Sequence, residues 1–138
     1  MRELCYGLVR VLDFDGAAKG PWDPKLSPDR LRTMLRTMML VRAFDDRMFR
    51  AQRQGKTSFY MKCTGEEAAS GAPTMADHRT DMVFPSYRQQ GVLITRDYPL
   101  IQMMNQIYSN RGDHLLGRQL PIMYSAPEHG FFSVSGNL

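Results

Sequence analysis

The stretch of this 138-residue chain whose residue types come closest to chemistry is Phe84-Pro85-Ser86-Tyr87-Arg88. A short apolar run ends at Pro85, and Ser86 to Gln89 has the pattern of a capping box, so a strand should give way to a helix here. In layered α/β folds, ligands gather at that edge of the sheet. Arg88 would offer a planar fork of donors suited to phosphate oxygens, and Tyr87 one hydroxyl donor. Together with the free N–H groups of a helix start, they would form a diphosphate grip. The same residues fit equally well a capped helix whose Tyr87 and Arg88 only pack and face solvent.

Two other clusters are weaker. Gly117-Arg118-Gln119-Leu120-Pro121 sets an arginine on a glycine-flanked loop, where an exposed loop charge is the plainer reading. Ser133-Val134-Ser135-Gly136-Asn137-Leu138 has small polar residues after an apolar run, which let backbone carbonyls approach a ligand or ion, but an ordinary tight turn explains them as well. His78, His114 and His129 lack metal-ligand spacing. Glu66-Glu67 is explained by helix capping. Neither a phosphate-loop lysine motif nor Gly-x-Gly-x-x-Gly occurs. The eleven methionines fall mostly at helical spacing and read as core.

The elements that must position these residues follow from spacing. Residues 1–26 read as an arm, with a short strand at Leu8–Leu12, a turn at Asp15-Gly16 and a stiff connector, Gly20-Pro21-Trp22-Asp23-Pro24, anchored by Trp22. A long helix is expected from Pro28 to Gln54, capped by Ser27 and stopped by Gly55. Leu31, Met34, Leu35, Met38, Val41, Phe44, Met48 and Ala51 form its apolar face, and Arg32, Arg36, Arg47 and Arg50 a solvated one. Thr64 and Glu67 make a capping box for a second helix, which Pro73 should kink or end. Met82-Val83-Phe84 reads as a buried strand, and the helix from Ser86 should run to about Thr95. Asp97 should cap a further helix with Leu100, Ile101, Met104, Ile107 and Tyr108 on one face. Residues 110–130 read as loop, and Phe131–Val134 as a last strand.

Composition excludes several classes. Hydrophobic residues at 43% and charged residues at 23% suit a globular chain and argue against disorder. The apolar runs are far shorter than the ~20 residues of a membrane helix, and Glu3 spoils a signal peptide. Cys5 and Cys63 stand too far apart for a disulfide framework or zinc ribbon. A net charge of +4 from 18 basic and 14 acidic residues permits nucleic-acid binding, but no block of like charge supports it.

Several longer runs resemble a known family. Gln52-Arg53-Gln54-Gly55-Lys56-Thr57-Ser58-Phe59-Tyr60-Met61, Thr64-Gly65-Glu66-Glu67-Ala68, Phe84 to Gly91, Arg96-Asp97-Tyr98-Pro99-Leu100 and Gly117 to Pro121 resemble, in order and spacing, the α subunits of thiamine-diphosphate-dependent branched-chain 2-oxo acid dehydrogenases, decarboxylating component. Phe131 to Leu138, with Leu8 to Asp13 and Gly20-Pro21-Trp22 in the arm, resemble the bacterial form. The resemblance implies oxidative decarboxylation of branched-chain 2-oxo acids with acyl transfer to a lipoyl group. It implies that Tyr87 and Arg88 hold the cofactor diphosphate, with Gly136 beside the cofactor. Phe59, Ser86 and Leu138 would line the substrate pocket, and Ser135 and Asn137 would serve a potassium site. Ser86 stands where glutamine is common, and Met123 where histidine is common. The Mg²⁺ ligands and the family's catalytic histidine on this subunit would lie outside these residues, since Arg111-Gly112-Asp113-His114 does not match the metal motif.

The expected fold is therefore α/β: an arm at 1–26, then, at 27–138, the truncated N-terminal portion of a thiamine-diphosphate-binding domain with an incomplete parallel sheet and several helices. Expected partners are a β subunit in an α2β2 heterotetramer and a lipoyl-bearing acyltransferase, in a bacterial cytoplasm, with neither nucleic acid nor membrane. The chain alone should be inactive. A non-catalytic module that docks on a β-type subunit through the long helix and arm is the alternative, and a basic phosphate or nucleic-acid binder a third.

Overall fold

A computed structural model describes residues 10–18, 21, 23–78 and 80–134. They fall in two compact units, residues 1–31 and 32–138. Leu8, Val9 and Trp22 lie outside the described residues.

In the first unit, Leu12 bridges Ala18 antiparallel around the expected Asp15-Gly16 turn. The Asp13 carboxylate accepts the N–H groups of Asp15 and Ala17, and Gly16 takes φ +79°. Ser27 Oγ accepts the Arg30 N–H at 3.3 Å, as an N-cap should.

Helix α1 runs Pro28–Arg53. Gly55, at φ +70°, closes it: its N–H bonds the Gln52 carbonyl and the Lys56 N–H the Ala51 carbonyl, the paired bonds of a left-handed helix end. Only the C-terminal half of the expected apolar face is covered. Val41, Phe44, Met48 and Ala51 are buried, whereas Leu31, Leu35, Met39 and Leu40 are exposed. Arg32, Arg36, Arg47 and Arg50 are exposed, as the solvated-face reading required.

Helix α2 is Glu67–Ala76, α3 Gln90–Thr95 and α4 Leu100–Ile107; β1 is Ser125–Ala126 and β2 Phe131–Phe132. Three helix starts differ from expectation for one reason, a left-handed backbone where a helix was to begin. Gly65 takes φ +94°, so α2 starts at Glu67 with Glu66 as its cap residue, and Thr64 caps nothing. Arg88 takes φ +69°, so Ser86–Gln89 is a turn and α3 begins only at Gln90. Asp97, at φ +59°, ends α3 instead of capping α4: its N–H bonds the Ile94 carbonyl, and that of Tyr98 the Leu93 carbonyl. Pro99 is the residue before α4. On α4 the buried residues are Met103, Gln106 and Ile107, and Ile101 points outward. Pro73 is accommodated inside α2, which ends three residues later.

The sheet is small. β1, in a segment expected to be loop, pairs antiparallel with β2, the expected last strand shortened to two residues, through a 3-10 turn at Pro127–His129 and left-handed Gly130. The expected strand at 82–84 is reduced to one parallel bridge, Val83 to Phe131. Its hydrogen bonds extend that alignment: Val83 N–H to Gly130 O, Phe132 N–H to Val83 O and Val134 N–H to Pro85 O. Pro85 has no N–H to continue the ladder, and Met82 and Phe84 are exposed.

The core joins Val41, Phe44 and Met48 of α1 to Tyr60, Leu93, Met103, Ile107, Ile122 and Phe131. Each such side chain contributes about 1.5–3 kcal/mol by leaving water. Helices α2 and α3 meet through small residues; a Cβ on Gly91 would overlap Ser70 Oγ. No helix among the described residues is long and apolar enough to cross a membrane.

Glu67 ties α2 to α1. It accepts the Arg42 Nε–H at 2.9 Å and reaches back to the Gly65 N–H at 2.9 Å. Burial alone would raise its pKa, but its own N–H, Arg42 and Gly65 outweigh that and hold the carboxyl below its ordinary 4.5. A group with a depressed folded-state pKa stabilises above its unfolded value and loses that contribution as pH falls through the folded one. The thermal midpoint should therefore be level above about pH 5 and fall below it, and Glu67→Gln should flatten part of that acid limb in melts recorded against pH.

Candidate functional site

Where the Val83–Pro85 segment leaves its parallel partner, the chain turns at Tyr87-Arg88 before entering α3. The turn therefore lies at the carboxyl end of the parallel segment, the edge at which α/β folds place ligands. It is not a helix N-terminus. α3 starts two residues later, so the free helix N–H groups expected here are absent, and the turn carries the side chains of Tyr87 and Arg88.

Arg88 is the centre of the site. Its left-handed backbone is unusual for a branched-free long side chain and costs of order 1–3 kcal/mol, so the surroundings must hold it. The guanidinium carbon lies 5.5 Å from the Tyr87 ring centroid. Nε–H donates to Met61 Sδ at 2.7 Å, a weak acceptor. Nη1 stands 3.8 Å from Glu66 Oε1, and both side chains are two-fifths exposed. Among the described residues the two Nη groups make no hydrogen bond. A guanidinium whose Nε meets Met61 Sδ and whose Nη1 faces the Glu66 carboxylate still has the planar fork that suits a bidentate oxyanion, provided the oxyanion displaces Glu66. Among the described residues, Glu66 is the carboxylate that faces Arg88 and opposes such a ligand.

Beneath the turn lies a polar network that sequence reasoning missed. Asp45 is fully buried. Its Oδ1 accepts the Tyr60 hydroxyl at 2.7 Å and Gln90 Nε2 at 2.8 Å, and its Oδ2 the Cys63 N–H at 2.7 Å. Gln90 Nε2 also donates to the Met61 carbonyl at 3.2 Å. Burial first, then Tyr124 and Asp45, push the Tyr60 phenol far above its usual range; burial and then Asp45 raise the Cys63 thiol. Both stay protonated at neutral pH. The signal for Asp45 was its position, a carboxylate on the stripe of Val41, Phe44 and Met48.

The other expected site residues are less gathered. Phe59 is partly exposed on the segment leading to Met61, and Ser86 is exposed at the start of the turn, its hydroxyl donating to the Tyr87 carbonyl at 3.3 Å. Ser135, Gly136, Asn137 and Leu138 lie outside the described residues. Arg118 is exposed on a loop held by Gln106, which donates to Leu120 O and accepts from Ile122 N–H. No cluster of metal-ligating residues occurs among the described residues. A cleft of about 270 Å³ opens elsewhere, lined by Thr33, Thr37, Thr74, His78 and Thr95 among others, and contains none of these residues.

Helices packed beside a short sheet, with an arginine turn at the end of a parallel segment, define part of an α/β fold. Comparison with known proteins narrows the class. The dehydrogenase E1 component profile matches residues 35–138, and the chain belongs to that family. It is 60% identical over 136 residues, 99% of this chain and 33% of the relative, to the 2-oxoisovalerate dehydrogenase subunit alpha of Pseudomonas aeruginosa. It is 39% identical over 132 residues, 95% of this chain and 30% of the relative, to the mitochondrial 2-oxoisovalerate dehydrogenase subunit alpha of Mus musculus and to that of Homo sapiens. The chain thus spans about a third of the length of these curated relatives.

Proposed function

We propose that this chain supplies the diphosphate-holding part of the α subunit of a branched-chain 2-oxo acid dehydrogenase, decarboxylating component, with residues 1–26 as an arm and 27–138 as the N-terminal portion of its thiamine-diphosphate-binding domain. The observation that carries this reading is the Arg88 fork at the end of the Val83–Pro85 segment, with Nε on Met61 Sδ and Nη1 facing the Glu66 carboxylate at 3.8 Å. Family membership and the names of the relatives supply the cofactor class and the substrate class.

Thiamine diphosphate, when bound, supplies the electron sink for decarboxylation of the 2-oxo acid. The chain's own contribution is binding and orientation. Arg88 neutralises and aligns the diphosphate oxygens, and Tyr87 flanks the guanidinium and adds a hydroxyl donor. By the family resemblance, Gly136 would sit beside the cofactor, and Ser135 and Asn137 would serve a potassium ion. By the same resemblance, Phe59, Ser86 and Leu138 would line the pocket for a branched side chain. The Mg²⁺ ligands would lie outside these residues. A β subunit in an α2β2 assembly completes the site, and a lipoyl-bearing acyltransferase receives the acyl group, in a bacterial cytoplasm.

Calorimetric titration with thiamine diphosphate and with inorganic pyrophosphate, on the chain alone and paired with a β-type subunit, tests the reading. Charge-assisted hydrogen bonds contribute about 1.5–3 kcal/mol each, so Arg88→Ala should weaken both ligands by roughly 10- to 100-fold. Glu66→Gln should strengthen them several-fold by removing the opposing charge. Unchanged affinity in Arg88→Ala overturns the proposal.

The exposed apolar residues Leu35, Met39 and Leu40 on α1 favour a second reading, a non-catalytic module that docks on a β-type subunit. Co-purification with such a subunit, without binding of thiamine diphosphate, would favour it over the first.

A further inference from the structure

We infer that Asp45 is a positioning residue for the Arg88 guanidinium, acting through Gln90 and Met61. The inference rests on the reading of Arg88 as the diphosphate donor.

The geometry forms one chain of contacts. Asp45 ties down Tyr60 and Cys63, the residues on either side of Met61 and Lys62. It also holds one N–H of the Gln90 amide, whose nitrogen bonds the Met61 carbonyl as well. Met61 is thereby fixed along its backbone, and its Sδ meets Arg88 Nε at 2.7 Å. Gln90 stands two residues beyond Arg88, so the same amide anchors the left-handed turn from its far side.

Two features are hard to explain by packing alone. The first is the charge. Asp45 is fully buried and forms no ion pair among the described residues, an expensive state for a carboxylate. All three groups that meet it are donors, so an amide would turn an N–H toward one of them; only a carboxylate satisfies the set. The second is Gln90, which is 1% exposed and whose Oε1 has no hydrogen-bond partner. A buried orphan acceptor costs about 1–3 kcal/mol, which methionine or leucine would avoid. What the amide provides is its N–H donors, and these join Asp45 to Met61. The raised Tyr60 pKa keeps that hydroxyl a donor throughout the working pH range.

The test uses the full chain with methyl-labelled methionine, followed by nuclear magnetic resonance, in Asp45→Asn, Gln90→Met and, as a control for general core loosening, Met103→Ala. Without ligand, both site variants should displace or broaden the Met61 methyl resonance and speed exchange of the Arg88 Nε–H about tenfold. They should also weaken inorganic pyrophosphate about tenfold, while Met103→Ala leaves all three readouts near wild type. Should Asp45→Asn fail to fold, Gln90→Met, which leaves Asp45 two of its donors, carries the test. Wild-type Met61 and Arg88 signals in Gln90→Met, or equal shifts in the control, overturn the inference. If Arg88→Ala leaves pyrophosphate affinity unchanged, the diphosphate reading falls instead, and the ligand-free signals still decide the link from Asp45 to Arg88.

Discussion

Arg96→Leu should destabilise the chain by about 3 kcal/mol or more, the largest loss expected of a single side-chain replacement here. Arg96 is 6% exposed, and its Nη1 meets three carbonyls: Asp81 at 2.8 Å, His129 at 2.8 Å and Gly130 at 2.9 Å. Nη2 lies 3.5 Å from the Asp77 carboxylate. Gly130 O also accepts the Val83 N–H, but leucine would strip the Arg96 donor from the carbonyls of Asp81 and His129. Buried acceptors without donors cost about 1–3 kcal/mol each. The consequence reaches the site, because these carbonyls hold Asp81 and Gly130 together where the Val83–Pro85 ladder begins. Thermal melts should show Arg96→Lys falling between wild type and Arg96→Leu, since an ammonium keeps the charge but not the fork. A change under 1 kcal/mol for Arg96→Leu would show that the carbonyls find other donors.

Arg96 also shows what sequence could and could not reveal. Strong local rules were legible. Ser27, Pro28 and Gly55 delimit α1 to within a residue, because capping and left-handed closure depend on those side chains alone. Tyr87 and Arg88 fit an anion site and a packed, solvated turn equally well by pattern, whereas the longer runs around them made the family legible. The helix starts were not legible. Thr64, Ser86 and Asp97 have capping chemistry, but Gly65, Arg88 and Asp97 adopt left-handed backbone, which glycine and aspartate tolerate and which nothing in the residue type announces for Arg88. The exposed Leu35 and Met39 share the period of buried Val41 and Met48, so periodicity cannot tell a covered face from an open one. Asp45 was passed over because a single carboxylate on an apolar stripe carries no motif; its meaning comes from Tyr60, Cys63 and Gln90, 15 to 45 residues away. The two-residue strand β1 has too few residues to show alternation.

Gly130→Ala should cost about 3 kcal/mol, from two sources that separate experimentally. Gly130 takes φ +63°, a left-handed conformation in which a Cβ costs about 1–2 kcal/mol. An added Cβ would also meet the Asp81 carbonyl oxygen and Arg96 Nη1 well inside van der Waals contact. The arginine tip can move, but the Asp81 oxygen is backbone and is itself held by Arg96. Overpacking of that kind adds about 1–3 kcal/mol. Gly130→Asn distinguishes the terms, because asparagine tolerates the left-handed region yet carries the same Cβ. If the overlap dominates, Gly130→Asn will recover only about 1 kcal/mol relative to Gly130→Ala; recovery to wild-type stability would assign the whole cost to φ. Arg96→Leu and Gly130→Ala should be less than additive when combined, since the first already releases the contact that the second disturbs. Pyrophosphate affinity should follow the same order, because Val83 bonds Gly130 at the base of the segment that carries Tyr87 and Arg88.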